Sequence, residues 1–387
     1  MARFRLAGRM LLRTLELQNW RNFRKAKVEF QPRTFIVGPN ASGKSNLLDA
    51  LRFLRDIAAE DGGLQRAVKR RGGFGAIRTL FAHGRDSSVQ LFLTAEVEQE
   101  EWTYALGLQK DDEDRVAVQL ELLQRGDRLL IERDATGESV ESRRQTRLQQ
   151  ALESPAKEPF LRGLRSIRYA HLAPELLRTT RLHGDVDLED YGSRFLERVF
   201  LTPKAERTHR LKIVNQALKG LLPYFDKLDV KRGNLGGYHL ELKVKHWRSQ
   251  AAAQDESSLS DGTLRVIALL WEILDGTGPL LLEEPELSLH SAAVAKLPSL
   301  FSLANERGRQ IIVSTHAFSM FREVGFAAEE LVLIRAATAK SAKASDVVMA
   351  SKVKVIVDHL KHQLPLEPVL EAQTSPPSPE KLLAVGA

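Results

Sequence analysis

Two glycines, a lysine and a serine stand at the spacing G-x-x-x-x-G-K-[ST] in Gly38-Pro39-Asn40-Ala41-Ser42-Gly43-Lys44-Ser45. The chemistry that calls for those residue types at that spacing is phosphate binding. Glycines let backbone N–H groups turn toward phosphate oxygens, and a following helix directs its positive end at them. Lys44 is expected to bridge the β- and γ-phosphates of ATP. Ser45 is expected to ligate Mg²⁺ through its hydroxyl, because this small octahedral ion keeps waters and takes few protein ligands. Asn40 and Asn46 join Gly38, Gly43, Lys44 and Ser45 as candidate nucleotide contacts. Far along the chain, Pro279-Leu280-Leu281-Leu282-Glu283-Glu284-Pro285-Glu286 is a short apolar run ending in acids, the way a central strand delivers carboxylates to a nucleotide site. Glu283 takes the position of the Mg²⁺-water ligand, and Glu284 that of the base that polarises the attacking water.

Elements of two kinds must position these groups. Thr34 to Val37 reads as a buried strand and Asn46 to Leu54 carries apolar residues at helical spacing, so the loop is expected between a strand and a helix. Ile311 to Thr315 is another buried strand, ending at His316. Leu264 to Ile273 reads as an apolar helix, with Ser260 as its N-cap and Asp261 favourable to its dipole. Before the loop, Leu11 to Leu17 and Ala26 to Phe30 alternate as strands around the turn Asn19-Trp20-Arg21-Asn22-Phe23-Arg24. After it, Val89 to Val97, Trp102 to Leu108, Val116 to Leu123 and Arg128 to Ile131 read as an antiparallel sheet with one wet face. Glu138 to Leu222 turns helical and charged, without heptads. Strands are expected again at Lys227 to Val230, Tyr238 to Val244 and Glu330 to Ile334, then a short helix near Val353 to Leu364 and a disordered tail from Thr374. The domain reading is 1–135 for a first ATPase lobe, 136–225 for a helical insertion, 226–340 for a second lobe and 341–387 for the short helix and tail.

Composition bounds the class. With 387 residues and 43% hydrophobic content the chain can bury a sizeable core. Its lack of cysteine excludes a disulfide framework and a thiolate zinc site and fits a reducing compartment. No apolar run reaches the roughly 18 residues of a membrane span, so a cytoplasmic location with no membrane partner is expected. A net charge of +7 permits nucleic-acid contacts, for which Lys69-Arg70-Arg71, Arg143-Arg144 and Arg162/Arg165/Arg168 are the candidates.

Leu259-Ser260-Asp261-Gly262-Thr263 resembles the signature motif of ABC-type ATPases, with Asp261 where a second glycine is usual. The order P-loop, signature, Walker B acids and His316 is similar to the RecF/SMC/OLD group, specifically its short stand-alone prokaryotic members. The Leu17-to-Arg24 segment resembles that group's opening strand and turn, and Leu287-Ser288-Leu289-His290 its element after Walker B. The resemblance covers about residues 10 to 335 and implies an α/β P-loop fold with an ABC-type head, a mixed central sheet and an antiparallel β subdomain. It implies that His316 contacts the γ-phosphate, and that Ser260 and Gly262 reach ATP bound to a second subunit, giving a head-to-head homodimer with two shared ATP sites. Glu283 departs from the usual aspartate; one extra methylene moves its carboxylate by about 1.5 Å, so slow hydrolysis suited to a switch is expected. Gln65, then Gln90, are the nearest candidates for the Q-loop glutamine.

A transporter ATPase should show a coupling surface and a membrane partner, but the antiparallel insertion and the opening strand resemble the DNA-associated branch more. A chromosome-organising or break-repair protein should have a long coiled coil, often with a Cys-x-x-Cys zinc hook, and neither of these is present. About 50 residues follow the last core strand, too few for a TOPRIM nuclease domain of roughly 100 residues. Asp185-Val186-Asp187 has metal-ligand spacing but lies in the charged insertion. The expectation is therefore an ATP-hydrolysing sensor or scaffold linked to DNA, serving anti-phage defence with a separate effector such as a TOPRIM-type nuclease. RecF-like repair and a non-DNA regulatory ATPase are the alternatives.

Overall fold

A computed structural model of the chain describes residues 9–82, 88–111, 113–135, 137–150, 155–179, 186–222, 224–233, 237–245, 253–323, 325–335 and 344–374. Asp185 of the Asp-Val-Asp triplet and the tail beyond Thr374 lie outside these residues. The chain divides into two units, one of residues 1–167, 277–281 and 305–387, the other of residues 168–276 and 282–304.

In the first unit, alternating side chains build an antiparallel sheet. Strands β1 (Met10–Trp20), β2 (Phe23–Glu29), β4 (Val89–Val97), β5 (Glu100–Lys110), β6 (Val116–Arg125) and β7 (Arg128–Asp134) pair in the order β2-β1-β4-β5-β6-β7. Every second residue of β4 is buried, which leaves one face for the core. The register of β1 against β4 shifts between Leu12 and Thr14, and this bulge lets Met10 and Leu12 face the same core as Leu15 and Leu17. Glu121 on β6 is fully buried and accepts hydrogen bonds from the Tyr104 hydroxyl (3.0 Å) and the backbone N–H groups of Arg147 (2.6 Å) and Leu148 (2.9 Å).

The second sheet of this unit carries the phosphate loop. Strands β3 (Arg33–Val37), β13 (Ile311–Thr315) and β14 (Leu331–Arg335) run parallel with β3 at the centre, and β15 (Asp346–Met349) pairs antiparallel to β14. All five residues of β3 and of β13 are buried, as central strands require. Strand β12 (Leu280–Glu283) lies beside β13; its first two residues belong to this unit and its last two to the other. The two sheets are joined by buried Gln310, whose side-chain amide mimics a strand: it accepts from the N–H of Leu12 at 2.8 Å and donates to the carbonyl of the same residue at 2.9 Å. Helix α1 (Lys44–Ala58) buries Leu47, Leu48, Leu51, Leu54 and Ile57, residues three and four apart that form one face.

In the second unit, strands β9 (Phe225–Arg232), β10 (Tyr238–Val244) and β11 (Ala253–Gln254) form a small antiparallel sheet in the order β11-β10-β9. One core takes in Phe195 and Val199 of the helix Phe195–Leu201, Leu218 of Lys204–Leu221, Phe225 of the sheet, and Leu264 and Trp271 of the helix Asp261–Leu274. The stretch read as helical also holds a strand, β8 (Arg168–Ala170), which flanks β12. Neither β8 nor β15 was expected from periodicity, each being four residues or fewer.

Candidate functional site

Strand, loop and helix follow one another as the motif requires: β3 ends at Val37, the loop runs from Gly38, and α1 begins at Lys44. Gly38 is needed for space, since a Cβ there would lie 2.6 Å from the carbonyl oxygen of Ile334. Gly43 caps α1 with a φ of 112°, a conformation that disfavours any side chain, and its missing Cβ leaves room for the amide of Asn22. That asparagine ties the loop down: it donates to the carbonyl of Ser42 (2.9 Å) and the hydroxyl of Ser345 (2.7 Å) and accepts from the Asn46 amide (2.8 Å). Trp20 donates its indole N–H to the Asn46 carbonyl at 2.8 Å. Asn46, read as a nucleotide contact, thus has its side-chain amide on Asn22, while Asn40 and Ser45 are exposed.

Lys44 is only 5% exposed, and its ammonium spans the loop to the carbonyls of Gly38 (2.8 Å) and Pro39 (3.0 Å). The first turn of α1 holds no acid, so its positive end faces no competing side-chain charge from its own helix. These features fit a polyphosphate: a buried cation, glycine-limited backbone, a helix N-terminus and the hydroxyl of Ser45. His316 follows β13, whose last residue Thr315 pairs in parallel register with Val37, so the histidine leaves the sheet at the same edge as the loop. The Thr315 hydroxyl accepts from the N–H of Ala317 at 3.0 Å and fixes the turn that carries it.

The remaining candidates lie in the second unit. Glu283 ends β12, and the hydroxyl of Tyr169 on β8 donates a hydrogen bond to its carboxylate. Glu284 has a φ of 44° and precedes Pro285. That left-handed backbone is uncommon for a non-glycine residue and costs about 1–3 kcal/mol, a strain of the kind found where a side chain must be aimed. Ser260 caps the signature helix Asp261–Leu274 by accepting from the N–H of Thr263 at 3.3 Å. A Cβ on Gly262 would lie 2.5 Å from the carbonyl oxygen of Ser288, so that glycine lets the helix start approach the loop after Walker B. Asp261, where a second glycine is usual, is neutralised by Arg178 at 2.7 Å. The same guanidinium donates to the carbonyls of Leu259 (2.8 Å) and Glu256 (3.2 Å). The hydroxyl of Ser45 in the first unit and the carboxylate of Glu283 in the second are each hard oxygen donors of the kind Mg²⁺ takes. Among the described residues there is no group of three or more His, Asp or Glu that could hold a metal by itself.

The basic clusters expected to contact phosphates are largely engaged within the protein. Arg71 pairs with Asp49 (2.9 Å) and Asp56 (3.0 Å) and stacks on Phe53. Burial raises the Asp49 carboxyl, but Arg71, then Arg21 and Arg52, outweigh it and hold its pKa below the ordinary value. Arg144 pairs with Asp111 and Glu113, Arg162 with Glu98, and Arg168 with Glu272 and Glu189. Gln65 donates to the backbone carbonyls of Val116 and Arg144, both at 2.9 Å, and Gln90 to the Ser88 hydroxyl at 3.3 Å. The residues missed by sequence reasoning are those that hold the candidates: Asn22, Tyr169 and Arg178. Only Asn22 stood in a segment singled out beforehand.

A family model described as "AAA domain, putative AbiEii toxin, Type IV TA system" matches residues 33–317. The DNA replication and repair protein RecF of Synechococcus sp. (strain JA-3-3Ab) is 41% identical over 64 residues, 16% of this chain and 17% of that protein. RecF of Clavibacter sepedonicus is 38% identical over 85 residues, 21% of each chain. The chain thus aligns with about a fifth or less of the length of these relatives. Among solved structures, the Smc head domain with an extended coiled coil bound to the C-terminal domain of ScpA, derived from Pyrococcus furiosus, has a TM-score of 0.56 at 15% identity, covering 91% of this chain and 100% of that one. The SmcHead bound to the C-winged helix domain of ScpA gives 0.55 at 16% identity, covering 87% and 97%. At these identities the likeness establishes the fold, that of a P-loop ATPase head. No helix among the described residues is long and apolar enough to cross a membrane.

Proposed function

The chain belongs to the AAA-domain family whose model spans residues 33–317 and is an ABC-type ATPase of the RecF/SMC group; from this premise we propose that it is an ATP-gated switch. The observation that carries the proposal is the phosphate loop, with Lys44 bridging two loop carbonyls and Gly43 held open for Asn22. Lys44 would neutralise the β- and γ-phosphates, and the Ser45 hydroxyl and the Glu283 carboxylate would each serve as an oxygen donor to Mg²⁺. When bound, the ion draws off charge that develops on the phosphoryl oxygens. Glu284 accepts the proton of the attacking water, and His316 donates toward the γ-phosphate. Ser260 and Gly262 engage the ATP of a second copy, so two subunits close over two nucleotides. Hydrolysis is slow, because Glu283 replaces the shorter aspartate.

Nucleotide binding and phosphate release from wild type, Lys44→Ala and Glu284→Gln test this reading. Lys44→Ala is expected to lose ATP binding. Glu284→Gln is expected to bind ATP as wild type does and to lose about 10²–10⁴-fold in rate, the usual scale of general-base catalysis. Hydrolysis by Glu284→Gln at the wild-type rate would remove the base assignment.

A link to DNA is the finer part of the proposal, and the RecF segments support it. A defence setting with a separate effector is part of the same proposal, and the family's description as a putative toxin of a Type IV TA system supports the setting alone; repair in the manner of RecF is the alternative. ATP-dependent DNA binding whose affinity falls steeply with salt is expected, and a flat salt response would remove the DNA link.

A further inference from the structure

The ring of Tyr169 is buried, at 3% exposure, and its hydroxyl donates to Oε2 of Glu283. The strand that carries it, β8, is three residues long and flanks β12, which ends at Glu283. Adjacent Arg168 points to the opposite side of the strand, as the pleat requires, and is fixed to Glu272 at 3.1 Å and Glu189 at 2.7 Å. A short strand anchored in this way cannot follow a wandering side chain, so positional control runs from the tyrosine to the glutamate. Glu283 needs such control more than an aspartate would. It has one more rotatable bond, and a carboxylate about 1.5 Å farther from the backbone samples more positions. A carboxylate has about four acceptor positions, so a phenol hydrogen bond on one oxygen is compatible with metal ligation by the same group.

We infer that Tyr169 is a positioning residue that holds the carboxylate of Glu283 for Mg²⁺ and so restrains the added freedom of the longer side chain, without restoring the reach of an aspartate. The inference rests on the ATPase reading and assigns a role within that same site. It also sets a dependence: an aspartate at position 283 falls short of the Tyr169 hydroxyl, so the tyrosine matters only when a glutamate is present.

The test is a cycle of wild type, Tyr169→Phe, Glu283→Asp and the double variant. Three quantities are read: loss of the free Mn²⁺ electron paramagnetic resonance signal with a non-hydrolysable ATP analogue, the Mg²⁺ concentration for half-maximal hydrolysis, and the unfolding midpoint without nucleotide. Tyr169→Phe is expected to bind the analogue as wild type does without metal, and to need about tenfold more metal, the scale of one hydrogen bond to a charged group. In the Glu283→Asp background the same change is expected to do nothing. An unchanged metal requirement in Tyr169→Phe overturns the inference, including when its unfolding midpoint falls, because the hydrogen bond is then structural only. An equal shift in both backgrounds also overturns it. If wild type binds the analogue with no metal dependence, the ATPase reading fails, and the inference falls with it.

Discussion

Gly43 and Asn22 form the tightest residue-level constraint around the phosphate loop. The glycine holds a φ of 112° and the asparagine amide occupies the space a Cβ would need. Gly43→Ala therefore combines backbone strain of about 1–3 kcal/mol with a forced displacement of Asn22. Asn22→Ala removes three hydrogen bonds, to Ser42, Ser345 and Asn46, each contributing roughly 1 kcal/mol. Chemical denaturation is expected to show a loss of about 1–3 kcal/mol for Asn22→Ala, and ATP affinity is expected to fall with it. Wild-type stability and affinity in Asn22→Ala would contradict the clamp. The loop glycines and Lys44 were legible because their spacing is local. The amide that holds them was not, because Asn22 is 20 residues from Ser42 and 323 from Ser345, and a turn asparagine advertises only its turn.

At the scale of elements, the signature helix is held near its end by charge. Glu272 is fully buried between Arg168 and Arg198, and Arg198 and Arg210 also pair with Asp275 just past the helix. Burial alone would raise the Glu272 carboxyl, but the two guanidiniums outweigh it and bring its pKa from 4.5 to about 2. An acid depressed in the folded state stabilises above its unfolded pKa, so this contribution is complete above pH 4.5 and is lost as pH falls toward about 2. The contribution is on the order of 3 kcal/mol. Glu272→Gln is expected to cost about 3–5 kcal/mol at neutral pH, by leaving two arginines short of a buried partner, and to flatten the stability profile between pH 4.5 and 2. An unchanged profile in urea titrations across that range would contradict it. Elements with long periodicity, such as β1, β4, α1 and this helix, were readable in the sequence. Strand β8 was not, because three residues carry no period and its arginine looked like a surface cation.

At the scale of the molecule, the phosphate loop and His316 belong to one unit, and the signature residues with Glu283 and Glu284 belong to the other. The order of motifs along the chain made the ATPase legible, whereas the division into units was not, since each is assembled from separate stretches. Segment 168–222 in particular shares a core with the signature helix rather than standing apart in composition. The central claim is that ATP closes two copies over shared sites, which links dimerisation to nucleotide binding. The most direct measurement is the solution mass of the Glu284→Gln protein with and without ATP and Mg²⁺, so that hydrolysis does not reopen the assembly. A monomer that becomes a dimer only when both are present is the result predicted. A mass that does not respond to ATP, whether monomer or dimer, would contradict the account.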